Sequence, residues 1–166
     1  MALTLRELLD QDELGLELLS GSPAALRREI AGAHPIEIAN PTRWLDRSWV
    51  LLTTGIRLRG DAKAQRALVA EAAGKPLAGI GFGVGIVFRS VPAALLEEAR
   101  GRDFPLFTIA PETPFREVVG FVDRSLASGD YWLLRRRVGI EGSLADAMAS
   151  DDPEEALVRR LGSLVD

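Results

Sequence analysis

Two apolar runs constrain this chain most. Trp49-Val50-Leu51-Leu52-Thr53-Thr54 carries no charge and is stopped by Gly55. Leu77-Ala78-Gly79-Ile80-Gly81-Phe82-Gly83 is equally free of charge and runs into a glycine-rich turn. A strand that is apolar on both faces must be covered on both faces, which is the situation of a central strand in a parallel sheet. Helix signals stand between and around these runs. Asp61 is placed to cap a helix over Ala62 to Ala73, with Ala67, Leu68 and Ala72 on its inner stripe. Ser90 and Pro92 open a helix over Ala93 to Arg102, and Thr113-Pro114 opens another from Phe115 to about Leu126.

The remaining segments continue the alternation. Thr4-Leu5-Arg6-Glu7 is a capping box, so a short helix should run from Leu5 to Gln11. Leu16 to Leu19 reads as a strand closed by Ser20-Gly21, and Ala24 to Ile30 as a brief helix behind Ser22-Pro23. Ile36-Glu37-Ile38 alternates like a strand and ends at Asn40-Pro41, and Trp44 and Leu45 fall on a helical turn. Phe104 to Ala110 is a further strand, with Pro105 near its start, where proline is tolerated. Parallel strands need crossovers of this length. The expected fold is α/β: a mostly parallel central sheet of about five strands flanked by helices, with a C-terminal helical extension. Right-handed crossovers are expected to put helices on both faces. The pattern leaves the strand order open.

Ser128-Gly129 ends the alternation, and Asp130 to Asp166 carries only helical signals. The expected division is therefore 1–126 and 127–166. Leu133, Ile140 and Leu144 keep a near-heptad spacing beside Tyr131 and Trp132, an apolar seam suited to dimerisation. Arg135-Arg136-Arg137 reads either as a phosphate contact or as a solvated helix face.

Composition removes several function classes. The chain has no cysteine and one histidine, His34, so disulfides, thiolate catalysis and Cys- or His-built metal centres are excluded or improbable. No G-x-S-x-G elbow, P-loop or G-x-G-x-x-G fingerprint occurs, since the glycines at 79, 81, 83 and 85 fall on every second residue. No catalytic residue and no cofactor are expected. A formal net charge of −4 weighs against duplex binding without excluding a local basic face, and the 18 Arg against two Lys read either as phosphate recognition or as the mark of a GC-rich genome. No stretch approaches the roughly 20 apolar residues of a membrane span, and the start lacks a signal-peptide core, so the expected location is cytoplasmic.

Candidate ligand contacts gather at the expected carboxyl edge of the sheet, where open parallel sheets bind ligands. Thr53, Thr54 and Gly55 end one strand and offer hydroxyls and a turn; they are equally good strand residues. Glu37 and Asn40 can hydrogen-bond a heterocycle and Trp44 can stack on it, or Asn40-Pro41 is a turn and Trp44 a lid on the core. Gly81 and Gly83 either admit a ligand to bare backbone or let the strand pass close to its neighbours. Glu112 follows the last strand, as a ligand acceptor or as an exposed carboxylate.

Taken in order, Leu3-Thr4-Leu5-Arg6-Glu7-Leu8-Leu9, Glu37-Ile38-Ala39-Asn40-Pro41-Thr42-Arg43-Trp44-Leu45, Leu51-Leu52-Thr53-Thr54-Gly55, Ala78-Gly79-Ile80-Gly81-Phe82-Gly83, Val91-Pro92-Ala93-Ala94-Leu95, Phe104-Pro105-Leu106 and Pro114-Phe115-Arg116-Glu117-Val118 resemble the amino-terminal domain of the PucR (purine catabolism regulator) family. The resemblance spans Leu3 to about Leu126. It implies the metabolite-sensing domain of a bacterial transcription regulator. The middle and helix-turn-helix modules of that family lie outside the sequence, so any DNA contact belongs to them. Residues 130–166 are then the connecting segment and the start of the middle module. The expected partners are an unidentified small metabolite and a second copy of the chain. The expected signal runs through a helix over Tyr131 to Met148. A ligand-free dimerisation module and a small α/β enzyme are the rival expectations.

Overall fold

The computed structural model describes residues 2–129. The chain divides into two units, Met1–Leu126 and Ala127–Asp166, and the sheet belongs to the first. Five strands form it: β1 (Leu16–Ser20), β2 (Gly32–Pro35), β3 (Trp49–Thr53), β4 (Gly79–Gly83) and β5 (Leu106–Ile109). Their spatial order is β1-β5-β4-β3-β2. The pairs from β2 to β5 are parallel, and β1 lies antiparallel on β5. The chain therefore begins at one edge, crosses to the other, and walks back one strand at a time.

That one-way walk decides where the helices go. Crossovers of one hand, all stepping in one direction, fall on one face. Accordingly α2 (Ala62–Gly74) and α3 (Ala93–Gly101) share a core with Leu51, Ile80, Phe82 and Leu106. The opposite face is covered not by crossovers but by α1 (Leu5–Leu9) and by α4 (residues 115–129), over Val50, Leu52, Phe107 and Ile109. Helices do flank both faces, but crossover handedness accounts for only one of them.

The start signals act as expected. Thr4 Oγ1 accepts from Glu7 N–H at 3.3 Å while the Glu7 carboxylate accepts from Thr4 N–H at 2.7 Å. Asp61 Oδ1 accepts from Ala64 N–H at 2.9 Å and opens α2.

Two expectations are corrected. The segment Ala24 to Ile30 is only a turn, Ala25–Arg27. Ile30 N–H donates instead to the Leu3 carbonyl at 2.7 Å, and Thr4 bridges Glu29, so the chain is held extended there. The second strand is Gly32–Pro35 rather than Ile36-Glu37-Ile38. Its first residue must be glycine, because a Cβ there would stand 2.9 Å from the Trp49 ring.

The alternating glycines of β4 have a packing cause. Ile80 and Phe82 point to the α2/α3 face, leaving Gly79, Gly81 and Gly83 toward α1 and α4. A Cβ on Gly81 would stand 2.8 Å from both Leu52 Cδ2 and Phe107 Cε2. The bare backbone is filled by side chains from both neighbouring strands.

Candidate functional site

Open parallel sheets usually bind ligands where the strand order reverses. No reversal occurs between β2 and β5, so topology alone selects no crevice. One cleft lies beyond the ends of β2 and β3, between residues 36–41 and the flank of α2, with a volume of about 160 Å³. Its apolar side is Ile36, Leu58, Ala64, Ala67 and Leu68. Ala64, Ala67, Leu68 and Glu71 fall at i, i+3, i+4 and i+7, one stripe of a helix. The two alanines leave the space that larger residues would close.

The opposite wall is anchored at both ends. Ile36 N–H donates to the Leu52 carbonyl at 3.0 Å. The Glu37 carboxylate accepts from Thr53 Oγ1 at 2.9 Å and from Thr54 N–H. Thr53 Oγ1 in turn accepts from Gly55 N–H at 3.0 Å. At the far end, the turn Pro41–Trp44 is tied to α2: Thr42 Oγ1 donates to Glu71 Oε2 at 3.1 Å, and Lys75 Nζ donates to the Thr42 carbonyl at 2.8 Å. Between these anchors Ile38, Ala39 and Asn40 are exposed, and Asn40 takes a left-handed backbone (φ 53°) with its side chain capping nothing. Arg57 lines the same cleft with no hydrogen bond or ion pair among the described residues. The cleft thus offers an apolar body, an unpaired guanidinium, a free amide and two carboxylates already partly occupied.

Of the residues singled out from sequence, Glu37, Asn40, Thr53 and Gly55 come together here. Thr54 and Gly83 do not. They line a separate recess on the α4 side with Ile86, Pro111 and Phe115. Gly81 lies beneath Leu52, Phe107 and Ile109. Trp44 is 70% exposed and lines neither hollow. Glu112 is exposed beside a polar recess with Glu13 and Glu117. His34 sits on the edge strand with its ring edge-on to Trp49. The seam of Tyr131, Trp132, Leu133, Ile140 and Leu144 and the Arg135-Arg136-Arg137 run lie outside the described residues, as does the Tyr131 to Met148 helix. Sequence reading missed Arg57, Ala64 and Glu71. The two alanines on the stripe, three residues apart, were the available signal for a hollow against α2.

Gly55 explains the floor's corner. Its φ of +72° lets β3 turn sharply, and a Cβ would stand 2.6 Å from Phe82 Cζ. No group of three or more His, Cys, Asp or Glu suited to a metal occurs among the described residues. None of their helices is long and apolar enough to cross a membrane.

Fold and cleft together define a mostly parallel α/β domain with a walled cleft beyond the ends of β2 and β3. The chain belongs to the purine catabolism regulatory protein-like (PucR) family, whose model matches residues 7–126. Over 116 residues it is 32% identical to the transcriptional activator PmfR of Paenarthrobacter nicotinovorans. That alignment covers 70% of this chain and 24% of the relative, so the match spans about a quarter of the relative's length.

Proposed function

We propose that this chain is the ligand-sensing domain of a transcription regulator, and that it binds a small metabolite without turning it over. The observation that carries the reading is the walled cleft over α2, whose loop wall is anchored at both ends by the chain's own hydrogen bonds. A cavity near 150 Å³ takes a molecule about the size of benzene. The cleft suits a single-ring or short-chain metabolite, or a fused base that projects partly into solvent. Purines, ureides and related nitrogen metabolites are the first class to try, given the family. Signalling would pass onward through the segment after α4, and DNA contact would fall to a module outside this chain. The setting is cytoplasmic and the working form a homodimer.

The test is a thermal-shift screen of the chain against these metabolites. A ligand at 100 times its dissociation constant stabilises a fold by about 2.7 kcal/mol. The expected hit saturates, is lost in Ala67→Leu, which fills the cleft, and persists in Thr54→Val, which alters only the α4-side recess. The reverse result would move the site to that recess. Silence across the panel, in a chain that melts cooperatively, would sink the sensor reading for these classes.

A further inference from the structure

We propose that the cleft over α2 takes a monoanionic organic acid, its carboxylate held by Arg57 and its apolar body laid along Ala64 and Ala67. The proposal rests on that cleft being the sensing site, and it names the class of molecule the site takes. The cleft is polarised along the helix. The turn Ile56–Leu58 is tied to the start of α2, because Asp61 N–H and Gln65 Nε2 both donate to the Leu58 carbonyl, at 3.3 and 2.9 Å. Arg57 therefore stands at the amino end of α2, the positive end of its dipole. Glu71 closes the lined stripe that Ala64 opens, about 10 Å further along the axis at 1.5 Å per residue.

The charges of the lining are unequally engaged. Each oxygen of the Glu37 carboxylate already accepts a bond, one from Thr53 Oγ1 and one from Thr54 N–H, so the group is turned to the end of β3. Glu71 accepts from Thr42 Oγ1 at 3.1 Å and has Lys75 one helical turn on. Arg57 has neither a hydrogen bond nor an ion pair among the described residues. A guanidinium presents a planar fork of N–H donors that matches a carboxylate, and such bonds are about twice as strong as neutral ones. Glu37 and Glu71 in the same lining oppose a second negative charge, which selects a monoanion over phosphate and other dianions. Phosphate would also leave Ala64, Ala67 and Leu68 against water, whereas an acid with a ring or short chain covers them.

The probes are benzoate, benzamide and benzylamine, which put a negative, a neutral and a positive head on one ring of the size the cleft accepts. Each is titrated into the isotope-labelled full 166-residue chain at fixed ionic strength, with backbone amide shifts as the readout. Benzoate should saturate shifts at Gly55, Ala64 and Ala67 and bind about tenfold more tightly than benzamide, with benzylamine weakest. Arg57 is exposed, so Arg57→Gln should fold normally; it should bring benzoate down to the level of benzamide and leave benzamide unchanged. Arg57→Lys, which keeps the charge without the fork, should fall between. Ala67→Leu should abolish binding of both. A flat or inverted order of the three probes overturns the proposal, as does benzoate binding that survives Arg57→Gln. Where such binding is still lost in Ala67→Leu, the sensing cleft stands and its ligand is neutral. No binding by any probe to a chain that melts cooperatively also overturns the proposal, and includes the case in which an acidic side chain of residues 130–166 holds Arg57. The purine and ureide screen then decides the cleft by itself.

Discussion

Thr53 and Thr54 are neighbours in sequence and strangers in the fold. Thr53 faces α2, is buried, and joins Glu37 to Gly55 at the cleft. Thr54 turns to the opposite face, where its methyl lies near Gly83 above the start of α4. Strand geometry sends successive side chains to opposite sides. A sequence reading that gathers both threonines and the β4 glycines into one pocket merges two regions of different character. One is a cleft walled by hydrogen bonds. The other is a strand face closed by close packing.

Substitutions should expose that difference. The largest effect belongs to the closed face: Gly81→Val, with atoms already 2.8 Å from where a Cβ would sit, should cost about 3 kcal/mol in urea denaturation through overpacking. A neutral result would mean the face is not packed as described. Next comes Thr53→Val, which leaves the Gly55 N–H without its acceptor and should cost about 1–2 kcal/mol. Glu37→Gln keeps the shape and weakens the bonds from Thr53 and Thr54, for about 1 kcal/mol. Thr54→Val and Trp44→Ala should each stay within about 0.5 kcal/mol. If Thr54→Val proved as costly as Thr53→Val, the contrast between the two faces would collapse.

Acid should loosen the ties around β1 and α1. The Asp103 carboxyl is held below its ordinary value by the Ser22 hydroxyl and then by the Ser22 N–H, which tie the start of the β1–β2 connection to the α3–β5 turn. The Glu7 carboxyl is lowered by the Thr4 hydroxyl and N–H of the capping box. A lowered folded pKa contributes stability that is present above the unfolded value and lost as pH falls through the folded one. Stability should therefore decline below the ordinary values of 3.8 for Asp103 and 4.5 for Glu7. In Asp103→Asn and Glu7→Gln the melting temperature should fall less steeply with acid. An unchanged slope in both would assign the acid sensitivity elsewhere.

Much of the fold was legible because it rests on strong local signals. Buried runs, capping residues and proline-led helix starts located β3, β4, α2, α3 and α4 to within a few residues. The misplaced strand shows the limit. Ile36-Glu37-Ile38 alternates because Ile36 enters the core while Ile38 faces out over the cleft, so a loop wall imitates a strand. Gly32 to Pro35 hides the real β2 behind two poor strand formers. The cleft was half legible. Its polar groups stand at strand ends, but the hollow itself comes from alanines on α2 meeting a loop anchored through Glu37 and Thr42. Those are pairings between distant segments, which local patterns do not encode.

The order of strands also sets a schedule for the nascent chain. Leu16 pairs with Ile109, so the first strand made is the one whose neighbour is made last. At roughly 5–20 residues per second, β1 leaves the ribosome on the order of ten seconds before β5 can meet it. During that interval β2, β3 and β4 can assemble in the order they appear, each onto the one before. The first strand must stay unpaired until the final one closes the sheet, and the domain has no native five-stranded form until translation has passed β5.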